Sequence, residues 1–357
     1  MTPIVYYDKP HQVNAADYGI EIPIVGSRPD MIHDSVIQNC PKIEIVSETR
    51  IDTPRPPLEL VHSAEFVHNL LDSKETAIKE LMKCYELIND DGSFNRYNPA
   101  NAIADPTEAL GKMFRQCEGT YIAAKMAWDK KNISPAQMVY YLGGGQHHAR
   151  IDGPSGFCLL NDIALTAMRL IKEDGAGLIW IIDVDVHKGD GTAEIVNASV
   201  RGELPVQTYI GKNPEIINLS IHMARGWPLD REELAKSNGQ NCAPIAPSRI
   251  DIGIESGDEA NYVPKLKAGM DTILGYSGNR KPDFAIVVDG ADPYEKDGLP
   301  SSALLKLSLE QCIERDMAIY HFLQAHKVPS VWLTSGGYGN AAWEVAAAFL
   351  KKLNDEV

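Results

Sequence analysis

Residues 178–191 read Leu178-Ile179-Trp180-Ile181-Ile182-Asp183-Val184-Asp185-Val186-His187-Lys188-Gly189-Asp190-Gly191. The first five are apolar without alternation. That pattern means burial on both faces, as in a parallel sheet covered by helices. Asp183, Asp185 and His187 then fall at i, i+2 and i+4, and on an extended strand they share a face. Carrying carboxylates into an apolar interior without a counter-ion is very costly. A bound cation removes that cost. Asp oxygen with His nitrogen suits Zn²⁺, with Fe²⁺ or Co²⁺ as alternatives.

The same apolar signature recurs at Met138–Leu142, Ile216–Leu219, Phe284–Val288 and Val331–Leu333. Between these runs lie helical patterns: Asp162–Ile171 behind an Asn161 cap, Leu309–His326 and Ala341–Leu353. Strands separated by helices imply βαβ units with right-handed crossovers. The expected fold is therefore α/β and doubly wound, a central mostly parallel sheet with helices on both faces. Glu48 to Asp129 reads as mostly helical, with a loop around Asp90–Pro106 and a Pro-rich loop at Asp52–Pro57. No repeat or linker marks a boundary, so residues 1–357 are expected to form a single domain.

Composition narrows the function. The chain has 357 residues, 44% hydrophobic and 23% charged, an ordinary globular balance. Acidic residues outnumber basic ones by 49 to 34, for a net charge of −15. Such a surface disfavours nucleic-acid phosphates and anionic lipid and favours cationic partners. No apolar run approaches the ~20 residues that span a bilayer. The first residues lack a basic region followed by an apolar one, so no signal peptide is expected. The six cysteines (Cys40, Cys84, Cys117, Cys158, Cys242 and Cys312) are scattered and read as buried thiols of a reducing compartment. The expected location is the cytoplasm.

Polar clusters follow the other apolar runs, where an open α/β sheet binds ligands. Gly143-Gly144-Gly145-Gln146-His147-His148 places two histidines after a glycine turn, a pairing suited to acid/base work. Asp289-Gly290-Ala291-Asp292-Pro293 offers Asp289 or Asp292 to complete a metal site with Asp185 and His187. Thr334-Ser335-Gly336-Gly337-Tyr338-Gly339 can aim a hydroxyl into the crevice as an oxyanion donor.

Taken together, these clusters resemble the metal-dependent histone deacetylase and acetylpolyamine amidohydrolase family, of arginase-deacetylase fold. The resemblance runs from Arg28 to the C-terminal helix and includes Gly156-Phe157-Cys158 and Asn161-Asp162. It implies metal ligands at Asp185, His187 and Asp292. It implies catalytic roles for His147 and His148, oriented by Asp183 and Asp190, with His148 the general base and Tyr338 the oxyanion donor. Gly156, Phe157 and Trp227 would wall the substrate channel, with Leu299 at its mouth. Arg28 would line an acetate exit. Asp183, Asp185, His187 and Ser220 would hold a monovalent cation, usually K⁺. The implied reaction is zinc-dependent removal of an acetyl or other acyl group from a lysine side chain or similar amine. Deacetylation of an acetylpolyamine or other small amide is the alternative, and a catalytically silent binding module is the remote one.

Three departures from the family pattern stand out. Lys188 occupies a position where many members have histidine. Asn98, in Arg96-Tyr97-Asn98-Pro99, stands where a substrate-backbone aspartate is expected, which weakens the case for a peptide. Leu299 leans towards acyl-lysine or another neutral amide over polyamines. The arginase branch of the fold needs a second-metal ligand two residues after the histidine, where this chain has Gly189.

Overall fold

The structure is a computed structural model describing residues 2–47, 55–89, 91–204, 215–231 and 244–357. Cys242 and parts of the expected Pro-rich and Asp90–Pro106 loops lie outside the described residues. Eight strands form one sheet: β1 (Ile4–Tyr7), β2 (Glu44–Ser47), β3 (Met138–Tyr141), β4 (Leu178–Asp183), β5 (Glu215–Met223), β6 (Ile250–Ile254), β7 (Phe284–Asp289) and β8 (Ser330–Thr334). Their order is β2-β1-β3-β8-β7-β4-β5-β6, and every pairing is parallel. The helices are α1 (Arg28–Asn39), α2 (Ala64–Leu71), α3 (Lys74–Cys84), α4 (Pro106–Trp128), α5 (Asp162–Asp174), α6 (Asp190–Arg201), α7 (Tyr262–Tyr276), α8 (Leu309–Ala325) and α9 (Trp343–Glu356).

The apolar runs form central strands because each feeds two cores. Val139, Ile179, Ile181, Ile286 and Val331 point to one face, where α2 to α6 cover them. Tyr140, Trp180, Ile182, Val287 and Trp332 point to the other, under α1, α7, α8 and α9. Helix starts follow local chemistry. Asn161 Oδ1 accepts from Ala164 N at 2.9 Å to open α5, and Gly175, at φ 77°, closes it. Three strands carry no clear signal in the sequence. β2 and β6 lie at the sheet edges and are only partly buried. β1, though fully buried, is only four residues long.

The connectivity decides where a ligand can sit. From β4 the chain moves through α6 to β5 and β6, towards one edge. From β7 it moves through α8 to β8, towards the other. Neighbouring strands β4 and β7 therefore send their connections apart and leave a crevice beyond their carboxyl ends. Among the described residues, no helix is long and apolar enough to cross a membrane. The described cysteines are buried and unbridged.

Trp180 tests the core on the second face. It is inaccessible to solvent, stacks on Phe322 with ring centroids 5.9 Å apart, and donates from Nε1 to Ser277 Oγ at 2.9 Å. Trp180→Ala is expected to destabilise the fold by about 3–5 kcal/mol in urea unfolding. A loss under about 1 kcal/mol would contradict this packing.

Candidate active site

β4 ends at Asp183, and a turn leads directly into α6, whose first residue is Asp190. Asp185 and His187 therefore sit in the turn and not on an extended strand, which corrects the shared-face expectation. The carboxylates consequently part company. Asp183 Oδ2 lies 2.8 Å from His147 Nδ1, and its Oδ1 accepts from Asp185 N at 3.1 Å. Asp185 instead meets His187 and Asp292, with one ligating atom from each within 4.8 Å of the others. All three side chains are buried.

Of the two aspartates at and after the end of β7, only Asp292 joins this cluster. Its Oδ2 lies 3.1 Å from His187 Nδ1, and its Oδ1 accepts from Val186 N at 3.0 Å. Asp289 turns away, accepting from Tyr140 Oη at 2.7 Å and Arg315 Nη2 at 2.6 Å. Sequence alone does not reveal Arg315. Fully buried on α8, it also donates to the carbonyls of Val184 and Gly290, at 3.2 and 2.8 Å, and so ties both ligand-bearing turns together. An arginine within a helix gives no signal of that role.

Backbone and hydroxyl donors hold the carboxylates of the cluster in place. Ser335 Oγ and Gly336 N donate to Asp185 Oδ2 at 3.0 and 2.9 Å. A Cβ at Gly336 would overlap the carboxylates of both Asp185 and Asp292. Ser301 Oγ lies 3.2 Å from His187 Nε2 and fixes the ring so that Nδ1 faces the carboxylates. Burial and the charge of Asp185 push Asp292 up to about 7. Burial disfavours a charged His187, but its carboxylate partners outweigh that and push it up to about 9. Two carboxylate oxygens and one imidazole nitrogen, converging without a lysine or arginine among them, fit a divalent cation.

The two histidines after β3 have matching hydrogen bonds and opposite electrostatics. Their Nδ1 atoms lie 2.8 Å from Asp183 and Asp190 respectively. Burial works against charge on His147, yet Asp183 and Asp185 together push it up to about 10. Burial and the neighbouring His147 pull His148 down to about 4, against the pull of Asp190. Asp190 is shared with Arg150, at 3.4 Å, and Arg231, at 2.8 Å. The glycine turn is pinned by Asp162, which accepts from Gly145 N, Gln146 N and Thr120 Oγ1 at 2.9, 2.8 and 2.6 Å.

A cavity of about 190 Å³ opens onto the cluster, lined in part by His148, Gly156, Phe157, His187, Trp227 and Leu299, with Tyr338. Gly156 is needed beside His148, because a Cβ there would overlap Trp227 and the His148 ring. Tyr338 N donates to Asp297 Oδ2 at 2.7 Å, which seats its backbone. Burial and the nearby carboxylates hold the Tyr338 hydroxyl protonated. A second cavity, of about 180 Å³, extends behind the glycine turn and Tyr338 to Arg28. Arg28 Nη1 donates to Ser335 O at 2.7 Å, while its buried Nε and Nη2 have no partner among the described residues.

Ser220 pairs with Asp183 across β4 and β5, and its Oγ lies 3.0 Å from His222 Nδ1. Lys188 is buried and paired with Asp251. Asn98 caps a short 3₁₀ turn by accepting from Ala100 N at 3.1 Å, and it is Arg96 that lines the cavity.

A family model described as "Histone deacetylase domain" matches residues 26–353. Among curated proteins, the chain is 27% identical to "Histone deacetylase 2" of Arabidopsis thaliana over 67% of this chain and 53% of that protein. It is 25% identical to "Type-1 histone deacetylase 1" of Dictyostelium discoideum, over 93% and 59%. It is 28% identical to "Acetoin utilization protein AcuC" of Staphylococcus aureus (strain COL), over 57% and 47%. The matches thus span about half to three fifths of these relatives' own lengths.

Gly336→Ala crowds both carboxylates and is expected to weaken divalent-cation binding at least tenfold in calorimetry, with the fold retained. Wild-type affinity would contradict the cluster. His148, with its folded pKa below the ordinary value, stays neutral as pH falls through 6.5, so stability declines as pH drops from there towards 4. In NMR of the metal-free protein, its ring resonances should not titrate between about pH 8 and about pH 5.5; a midpoint near 6.5 would contradict this.

Proposed function

The chain belongs to the histone deacetylase family, and from that premise we propose that it is a metal-dependent amidohydrolase removing an acetyl or other acyl group from a lysine side chain or similar amine. The supporting observation is that His187 of the Asp185–His187–Asp292 cluster lines one cavity together with His148 and Tyr338. A divalent cation held by those three ligands, Zn²⁺ first and Fe²⁺ as the alternative, would polarise the amide carbonyl and acidify water.

The chain's own groups do the rest. His148 Nδ1 is engaged by Asp190, which leaves Nε2 to take a proton from the attacking water. The same nitrogen returns a proton to the departing amine. His147, whose charged form Asp183 and Asp185 favour in the metal-free protein, lies beside the base and is placed to steady negative charge as it develops. Tyr338 donates its hydroxyl to the oxyanion. Acetate then leaves through the inner cavity, where the unpartnered nitrogens of Arg28 are suited to a carboxylate. Backbone oxygens of Asp183, Asp185 and His187, with Ser220, are proposed to hold K⁺. We place the whole of residues 1–357 in one catalytic domain acting in the cytoplasm.

Leu299, at the cavity wall with Trp227, favours a neutral acyl-lysine-like amide over an acetylpolyamine, because neither side chain offers a partner to a second ammonium that loses water beside them. The test is hydrolysis by zinc-loaded protein of acetyl-lysine compounds, acetylputrescine and acetylspermidine, with metal-stripped protein as control. Turnover that depends on metal and favours the lysine compounds supports the reading. A several-fold preference for acetylspermidine overturns the substrate choice, and no turnover at all supports a silent module. Tyr338→Phe should lower kcat by about 10²–10³ with metal content unchanged, the scale of one lost oxyanion donor. An unchanged kcat would make Tyr338 a packing residue.

A further inference from the structure

Two residues at the cavity mouth have no part in this chemistry. α3 ends at Cys84, and after Tyr85 the backbone turns through Glu86 at φ 53°. A tight loop, with Ile88 bridged to Phe94, then returns Arg96, at φ 51°, to the side of Glu86. The loop is anchored at both residues. Asn95 N donates to Leu87 O and Asn95 Nδ2 to Glu86 O, at 2.9 and 2.8 Å, while Glu21 N donates to Arg96 O at 2.7 Å. Arg96 Nη1 donates to Glu86 Oε2 at 2.5 Å, and the guanidinium carbon stands 5.4 Å from the centre of the Phe157 ring.

Phe157 itself lies at φ 65°. Three of the five non-glycine residues with positive φ among the described residues therefore meet at this mouth. Left-handed conformations are unfavourable for side-chain-bearing residues and gather where surrounding structure holds a functional geometry. Apart from the imidazoles of His148 and His187, Glu86 and Arg96 are, among the described residues, the only carboxylate and the only cationic side chain lining the cavity; the rest are Gly156, Phe157, Trp227, Leu299, Ser301 and Tyr338. At 39% and 51% side-chain exposure, the Arg96–Glu86 pair is weak by itself, so each charge is available to an incoming group.

We infer that Arg96 and Glu86 select small zwitterionic substrates: a free ω-N-acyl amino acid such as Nε-acetyl-lysine, its α-carboxylate on Arg96 and its α-ammonium on Glu86. This deepens the amidohydrolase reading and rests on it. Four methylenes separate the acylated nitrogen of such a molecule from its α-carbon. An apolar stem of that kind suits the Phe157 and Trp227 walls and leaves the charged end on the side where Arg96 and Glu86 stand. Arginine's planar fork matches a carboxylate with two parallel hydrogen bonds, which a neutral peptide carbonyl cannot equal. A polyamine would bring an ammonium for Glu86 but no carboxylate for Arg96, whose charge would repel it. A peptide would have to separate the ion pair while offering only neutral amides in exchange.

The test compares kcat/KM of the zinc-loaded protein for free Nε-acetyl-lysine and for the same compound with its amine acetylated and its carboxylate converted to the methylamide. Wild type should favour the free amino acid at least tenfold, chiefly through KM. Arg96→Gln should bring the ratio near one, and Arg96→Lys, which keeps the charge without the fork, should retain part of it. Glu86→Gln should lower the ratio severalfold. Circular dichroism melting of each variant shows whether it is folded, and the wild-type ratio alone decides the matter if none is. A wild-type preference for the capped compound, or a ratio unmoved in folded Arg96→Gln, overturns the inference while leaving the amidohydrolase reading intact. Hydrolysis of neither compound, nor of the acetylputrescine control, overturns both.

Discussion

Asp185 and Asp292 approach each other almost wholly buried, in the turns that follow two strands apolar up to their last residue. Two like charges in that setting repel and are poorly solvated, so the surrounding structure is organised around their neutralisation. Backbone N–H groups of Val186, His187 and Gly336 donate to them. Gly336 cannot carry a side chain there. Arg315, from the far face of the sheet, clamps the two turns through the carbonyls of Val184 and Gly290 and balances Asp289. The sheet topology supports the same point, since it is where the connections from β4 and β7 diverge that room exists for the two turns to meet.

That field then differentiates two histidines that are neighbours in sequence. Both hold a carboxylate at 2.8 Å, but His147 also lies 3.6 Å from Asp185, within reach of the cluster's negative charge. Asp190, by contrast, is already engaged by Arg150 and Arg231, so it does less to charge His148. A protonated imidazole and a neutral one side by side follow from which charges their partners share. Separating titratable groups in this way is what acid/base chemistry near neutral pH requires.

Much of this architecture is legible in sequence because its strongest signals are local. Unbroken apolar runs such as Leu178–Ile182 identify strands of a covered parallel sheet, and polar residues just after them identify its carboxyl edge. What is not legible depends on how the chain bends. The i, i+2, i+4 spacing of Asp183, Asp185 and His187 suggests one face, but the strand stops at Asp183 and the turn sends the carboxylates to different partners. Asp289 and Asp292 are equally eligible until the backbone after β7 directs one to Arg315 and the other to His187. Arg315 and Arg96 carry no motif, because their roles come from contacts across 131 and 10 residues of chain. Lys188, a departure from the family pattern, is a buried partner of Asp251, a pairing that only the sheet edge brings about.

The convergence of Asp185, His187 and Asp292 on a single cation is most directly tested by calorimetric titration of Zn²⁺ into metal-free protein at neutral pH, in two buffers of different ionisation enthalpy. A protonated His187, with a pKa pushed up to about 9, must lose its proton to become a ligand, so binding and proton release are linked. The expected result is one tightly bound ion per chain, with an apparent enthalpy that differs between the buffers by an amount reporting at least a substantial fraction of a proton released. Absence of stoichiometric binding, or binding whose enthalpy is the same in both buffers, would contradict it.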